Sequence, residues 1–273
     1  MSPVTGTTPK PDQISVTSEK IDSVAVVRFS NPPNALITTK GAVLLEQAFS
    51  SLLTDDAVRA IVLTGGVEGH FIRHADVGQI GRAAEALTSG ASEPKAFASS
   101  PFARLFRLIA QAHKPVIAAI DGACMGGGLE IALACTMRIA SPQVQDIGLP
   151  EIRLGMIPGA GGPHLLARVI GWHKAKLLIL EGAVVSGRQA LDLGLIDVLA
   201  EQPLTAALQA AERFAARPPG VVAAVLAFAI SERALSDAQA STVRFAELLR
   251  DDEAAATRLR SFHDRGLRLQ DLK

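Results

Sequence analysis

One stretch limits the possible folds of this chain more than any other. From Val116 to Cys135 the sequence is apolar enough to be buried, yet it is interrupted by Asp121, by the triplet Gly126-Gly127-Gly128 and by Glu130. Such interruptions speak against a membrane span. They suit a buried strand over Pro115–Ile120 that gives way, through glycines, to an apolar helix carrying Glu130 in its first turn. Glycines at a strand-to-helix junction let the backbone turn without Cβ clashes and expose N–H groups at the helix N-terminus. Those groups and the helix dipole favour negative charge, including an oxyanion forming on a carbonyl. Close strand–helix packing also explains a glycine triplet, and the dipole alone also explains an early glutamate.

Two further segments carry chemically capable residues. Leu149-Pro150-Glu151-Ile152-Arg153 sets a glutamate in a stretch poor in other acids, ahead of the glycine-rich helix start Pro158-Gly159-Ala160-Gly161-Gly162. Burial raises a carboxyl pKa toward working pH, as general acid–base catalysis requires. Glu130 therefore reads as an acid/base candidate, and only the fold could bring Glu151 to it. The plainer alternative for Glu151 is an ion pair with Arg153 or Arg138. The third segment, Gly69 to Val77, follows the apolar run Ala60–Thr64, and its loop could supply a second N–H to the same anion.

The rest of the chain frames these segments. Residues 1–12 read as a disordered tail. The β-type runs Ile14–Thr17 and Val24–Phe29 flank a polar turn at Glu19–Asp22. An amphipathic helix is expected from Thr38 to about Leu53, with Val43, Leu44, Ala48 and Leu52 inward. Met137–Ala140 and the region near Ile147 read as short strands. Residues 81–100 read as a helix fraying into a mobile loop, and a helix runs from Pro101 to about Gln111. From about residue 161 the chain turns helical, with a strand at Leu195–Leu199 and helices over 203–217, 219–232 and 237–262. The pattern is an α/β core over 13–200 with a helical part over 201–273.

Lysine plus arginine and aspartate plus glutamate both total 27. That balance exerts no long-range pull toward nucleic acid or an anionic membrane. Cys124 and Cys135 are too few for a disulfide framework and read as buried thiols. No metal site is expected. His70, His113, His164, His173 and His263 read as ordinary surface or core residues, and Trp172 as core. The N-terminus carries no apolar signal segment, so a cytoplasmic location is expected. There is no Gly-x-Gly-x-x-Gly of dinucleotide spacing and no Gly-x-Ser-x-Gly nucleophile turn.

Together the motifs resemble the enoyl-CoA hydratase/isomerase (crotonase) superfamily. The likeness rests on Asn34-Ala35-Leu36, Phe71 to Asp76, Lys114 to Ala119, Gly126 to Glu130, Pro150 to Gly162 and Ala190 to Asp197, in order over about 14–200. It implies a spiral of ββα units with a helical C-terminal trimerisation part, assembled as a homotrimer or a hexamer of two trimers. It implies oxyanion-hole N–H groups at Ala75 and Gly127 and catalytic glutamates at Glu130 and Glu151. Contacts to substrate or CoA are implied for Ala35, Arg73, His74, Asp76, Val77 and Gly126. The implied reaction is hydration of a trans-2-enoyl-CoA, with coenzyme A as part of the acyl-CoA thioester substrate and no separate cofactor. An isomerase, a thioester or C–C hydrolase, and a non-catalytic CoA-thioester binder are the alternatives. Isomerisation needs only one proton shuttle, and a binder would be expected to have lost a carboxylate.

Two departures from the family pattern stand out. Arg73-His74 replaces the usual Ala-Gly. Either these side chains turn to solvent or a neighbouring subunit, or His74 joins the chemistry and Arg73 holds a CoA phosphate. The C-terminal segment has Phe262-His263-Asp264-Arg265 in place of a Phe-x-x-Lys-Arg-x-Pro ending. That leaves open which residue makes the usual lysine contact to CoA.

Overall fold

The buried strands sort their side chains with period two, and this alternation sets the layers. The computed structural model describes residues 13–229 and 232–272, so the expected tail at 1–12 lies outside the described residues. In chain order the elements begin with β1 (Ser15–Ile21), β2 (Val24–Ser30), α1 (Thr39–Thr54), β3 (Ala60–Gly65), β4 (His70–Ile72) and α2 (Val77–Thr88). A 3-10 turn at Pro94–Ser99 leads to α3 (Pro101–Ala110), β5 (Val116–Ile120), β6 (Ala123–Met125), α4 (Gly127–Ala134), β7 (Met137–Ala140) and β8 (Ile147–Gly148). A second 3-10 turn at Glu151–Leu154 precedes α5 (Gly162–Ile170), α6 (Trp172–Glu181), β9 (Val184–Val185), α7 (Gly187–Leu193) and β10 (Val198–Leu199). The chain closes with α8 (Pro203–Ala215), α9 (Pro219–Ala229), α10 (Glu232–Asp251), α11 (Ala255–Asp264) and a last 3-10 turn at Leu269–Asp271.

Six strands form one sheet in the order β1-β2-β3-β5-β7-β10, and four form a second in the order β4-β6-β8-β9. The successive pairs β3/β4, β5/β6 and β7/β8 each send their first strand to the large sheet and their second to the small one, and a helix follows each pair. This is the ββα spiral. Beyond the β1–β2 hairpin the large sheet is parallel, so its inner strands are covered on both faces. Val27, Leu63, Ala118 and Ile120 point into the main core. Val26, Val62, Ile117 and Ile139 point the other way, onto Ala207, Ala210, Ala211 and Ala215 of α8. Small alanines let this helix lie close against the sheet. A further cluster packs Val77, Ala84 and Leu87 of α2 against Phe245, Leu249, Leu259 and Phe262 of α10 and α11.

Several expectations need correction. The hairpin turns at Asp22-Ser23; Glu19 and Lys20 stay in β1, paired with Val26 and Ala25. Their exposed polar side chains suit a sheet edge. In α1 the buried stripe is Ala42, Leu45, Phe49, Leu52 and Leu53, so of the four positions expected inward only Leu52 is buried. The bulky Phe49 and Leu45 set the rotation of the helix. Helix α2 begins at Val77, earlier than expected, because the Asp76 side chain caps it by accepting from Gln79 N. Residues 94–99 form an ordered 3-10 turn whose Phe97 ring lies 6.3 Å from that of Phe245. The single helix expected over 237–262 breaks between α10 and α11, where Asp252 accepts from Ala254 N and from Arg258. Strands β4, β6 and β9 were not foreseen, being too short to show a period. Trp172 is 63% exposed, with its ring edge-on to His164, and is not core. Cys124 and Cys135 are buried and unbonded as expected.

Gly128 shows how tightly α4 is seated on β4. A Cβ there would lie 1.9 Å from the Ile72 carbonyl oxygen. Gly128→Ala is expected to destabilise the fold by at least about 3 kcal/mol through backbone overpacking. Gly90→Ala, at φ 74 with open space around it, should cost only about 1 kcal/mol. Denaturant unfolding of the two variants checks the contrast.

Candidate active site

Three adjacent strands explain why residues remote in sequence meet. In the small sheet β6 lies between β4 and β8, all parallel, with Ile72 beside Cys124 and Met125 beside Gly148. Parallel strands release their following loops at one end of the sheet. Ala75 and Gly127 sit at the same offset beyond the paired residues Ile72 and Cys124. Glu151 lies one residue further along its own loop, four beyond Ile147, the partner of Cys124 in the next strand. Register thus delivers two amide groups and one carboxyl to a single edge. Glu130 follows one helical turn after Gly127 and projects from the same face of α4.

These four residues line one cavity of about 190 Å³. Its polar floor is Ala75, Gly127, Glu130 and Glu151. Its apolar walls come from Ile80 and Ala83 of α2, Phe97, Phe102 of α3, Met156, and Phe245 of α10. The Cβ position that Gly127 lacks lies 3.5 Å from Ala75 N and 2.9 Å from the Phe102 ring. A side chain there would cover the Ala75 amide and fill the space above it. Among the described residues neither the Ala75 N–H nor the Gly127 N–H has a protein acceptor. Gly126, at φ 48 and ψ −127, adopts a backbone conformation suited to glycine. A Cβ on it would meet Glu151 Oε1 at 2.8 Å.

The two carboxyls are buried, Glu130 to 2% exposure and Glu151 to 8%, but they are held differently. Glu130 Oε1 accepts from Ala160 N at 2.7 Å and from Gly162 N at 2.9 Å, at the start of α5. Burial pushes its pKa up, and these amides, with that of Gly159, pull it back toward the ionised form. Glu151 Oε2 has no hydrogen-bond partner among the described residues. Burial first, then the nearby charge of Glu130, raises the Glu151 pKa well above the usual carboxylate range. The ion pairs considered for Glu151 are not formed. Arg138 pairs with Asp197 at 2.9 Å, and Arg153 donates to the carbonyl oxygens of Leu269, Gln270 and Leu272.

Of the other residues singled out in the sequence, Asp76 reaches the cavity. The rest do not line it. Ala35 is fully buried, donating to Asn31 O and accepting from Arg73 N. Val77 packs into the α2 cluster. Gly126 is turned against Glu151. The Arg73 guanidinium donates to Asn34 Oδ1 at 3.3 Å. His74 is neither turned to solvent nor on the cavity surface: it is buried, its Nδ1 2.8 Å from Ala75 O, and burial lowers its pKa to about 4. Its four-residue spacing from His70 suits two metal ligands on a helix, but here the segment is strand and loop. Among the described residues no group of His, Cys, Asp and Glu is placed to hold a metal ion. Sequence reasoning missed Thr38, Thr39, Gln79, Thr242 and Phe245 as lining residues. The last two lie on the buried face of α10, and their spacing marks them for burial without saying what they face.

A family model for enoyl-CoA hydratase/isomerase matches residues 19–255. The chain belongs to the enoyl-CoA hydratase/isomerase family. Over 238 residues it is 34% identical to a probable enoyl-CoA hydratase of Bacillus subtilis (strain 168), covering 85% of this chain and 89% of that protein. It is 36% identical over 178 residues to the glyoxysomal fatty acid beta-oxidation multifunctional protein MFP-a of Cucumis sativus, covering 65% of this chain. The match spans 24% of that longer relative. The crystal structure of an enoyl-CoA hydratase/isomerase from Mycobacterium paratuberculosis matches with a TM-score of 0.79 at 21% identity, covering 92% of this chain and 98% of that one. The likeness extends through the C-terminal helices and carries the crotonase-like fold.

Raised carboxyl pKa values have a sign in stability. A folded state that holds a proton more tightly than the unfolded chain is favoured at low pH and loses that advantage as pH rises through the folded pKa. Glu151→Gln removes this loss. The variant is expected to melt higher than the unmodified chain at pH 8, with the gap narrowing steadily toward pH 4. Melting curves across that range check it, and a gap that widens on acidification would contradict the assigned burial.

Proposed function

We propose that this family member is an enoyl-CoA hydratase that adds water across the double bond of a trans-2-enoyl-CoA. The observation that carries the reading is the shared cavity, in which two amide groups without acceptors adjoin two carboxyls held in different electrostatic states. The thioester oxygen would accept from the Ala75 and Gly127 N–H groups, which stabilise the negative charge that develops there. Glu130, supported by the α5 amides, is the better base. It takes a proton from water as the water oxygen bonds to C3, and the C2–C3 π pair moves into the thioester enolate. Glu151, kept protonated by burial and by Glu130, delivers its proton to C2. The proton gained by Glu130 then passes back to Glu151, and the net change is addition of one water. The steps use only these protein groups, with coenzyme A as part of the substrate.

An assembly of identical subunits belongs to the same proposal. Helix α9 is apolar almost throughout, and Val221, Val225 and Phe228 are exposed, Phe228 to 89%. Exposed apolar surface of this kind favours covering by another subunit, as a homotrimer or a pair of trimers would provide. Among the described residues no helix is long and apolar enough to cross a membrane.

Crotonyl-CoA tests the chemistry, because hydration removes the ultraviolet absorbance of its conjugated thioester. The unmodified chain is expected to bleach it. Glu130→Gln and Glu151→Gln should each lose on the order of 10²–10⁴-fold in kcat. Full activity in both variants would overturn the assigned roles. Tight thioester binding without turnover would favour an isomerase, a hydrolase or a binder. Light scattering tests the assembly: Val225→Asp with Phe228→Asp should reduce the particle to a single chain, and an unchanged mass would remove α9 from the interface.

A further inference from the structure

We propose that His74 is a positioning residue that sets the spacing and direction of the two oxyanion N–H donors; the inference rests on the hydratase reading above. The His74 side chain is 5% exposed. It does not itself line the cavity. Its Nδ1 is 2.8 Å from the Ala75 carbonyl oxygen. A carbonyl can only accept, so Nδ1 carries the proton and donates. The peptide units on either side of Ala75 are thereby tied. His74 O accepts from Ile37 N at 2.9 Å, Asp76 N donates to Ile37 O at 3.0 Å, and the imidazole holds Ala75 O. Between these anchors the Ala75 N–H is left free for a ligand.

The base of the side chain also borders the segment of the second donor. His74 Cβ is 3.6 Å from the Cβ position that Gly126 lacks, immediately before Gly127 and beside Glu151 Oε1. The residue therefore stands between the segment that presents the Ala75 amide and the segment that presents the Gly127 amide. Burial keeps the ring neutral across the working pH range, with Arg73 and His70 opposing its protonation and Asp76 favouring it. Removing the ring would leave the Ala75 carbonyl without its imidazole donor and empty the buried space the ring fills behind it. Both changes relax the angle between the donors. An oxyanion site depends on donor placement to a fraction of an ångström, so this loosening acts on the reacting charge more than on binding of the rest of the substrate.

The test compares His74→Ala with His74→Asn, whose side-chain amide can still donate to Ala75 O. Three quantities are measured: turnover of crotonyl-CoA, its KM, and the infrared C=O stretch of a bound saturated butyryl-CoA, which reports carbonyl polarisation without turnover. His74→Ala is expected to lower kcat by about 10- to 100-fold with KM changed by less than about threefold. Its bound C=O stretch should move back toward the value in water, and Asn should restore most of both effects. A merely structural role would lower the melting temperature of both variants and leave the C=O stretch of the folded fraction at its original position. That result, or an unaltered kcat in His74→Ala, would overturn the proposal. Absence of hydration by the unmodified chain would instead defeat the hydratase reading, and the infrared comparison would still decide whether His74 controls carbonyl polarisation.

Discussion

The lateral register of β4, β6 and β8 is the constraint from which the rest of the site follows. These strands pair only over His70 to Ile72, Ala123 to Met125 and Ile147 to Gly148, too short to be stable as an isolated sheet. They are held because each follows a strand of the large sheet in the chain, and because α4 sits against β4 with no side chain at Gly128. Two amides and a carboxyl then arrive together because each follows closely on a row of paired residues, Ile72, Cys124 and Ile147. No interaction among the site residues themselves is needed to gather them. Such a site is preorganised before any ligand enters, which is the condition for amides to stabilise a developing charge without rearrangement.

Gathering two carboxyls in one buried cavity creates an electrostatic conflict, and the fold resolves it asymmetrically. Two negative charges in a poorly polarisable interior repel strongly, and each also loses its hydration. The start of α5 places the amides of Ala160 and Gly162 on Glu130 alone. Glu151 is offered nothing on Oε2. Identical side chains are thus given different proton affinities by backbone groups that carry no net charge. The Gly159-Ala160-Gly161-Gly162 segment, which in sequence looks like a flexible helix start, is the element that makes the pair unequal. Stability is sacrificed at Glu151, where a neutral isostere would suit the cavity better, as is common where a site's chemistry requires an unfavourable group.

Much of this arrangement was legible in the sequence because it depends on backbone geometry that few residues can satisfy. The glycine triplet before Glu130 marked a tight strand-to-helix junction, and the short apolar runs at Ala60–Thr64 and Pro115–Ile120 marked strands buried on both faces. What stayed hidden depends on side chains meeting across the fold. The rotation of α1 was misread because Val43 and Leu44 are as apolar as the residues that face inward, and only packing against the sheet distinguishes them. Strands β4, β6 and β9 are too short for a period to show, so the sheet that builds the site was the least visible part of the molecule. Asp197 was legible as the end of a motif, but its pairing with Arg138 was not, and that pairing removes Arg138 from the list of partners for Glu151.

The cavity also divides its labour along the chain. Its polar floor is built entirely by the ββα units, through backbone amides and two carboxyls whose positions follow from strand register. Its apolar wall is completed by Phe97, Met156 and Phe245, which belong to connecting turns and to α10 and are tied to the floor only by packing. A change in wall volume alters what fits beside the floor without moving the amides, since none of these three side chains bonds to Ala75, Gly127, Glu130 or Glu151. A change in the floor cannot be compensated from the wall, because donor direction is set by backbone. Divergence among related chains of this architecture is therefore expected to concentrate in the wall. His74 lies on the other side of the division, behind the floor, where a substitution acts on the chemistry through the Ala75 backbone it holds.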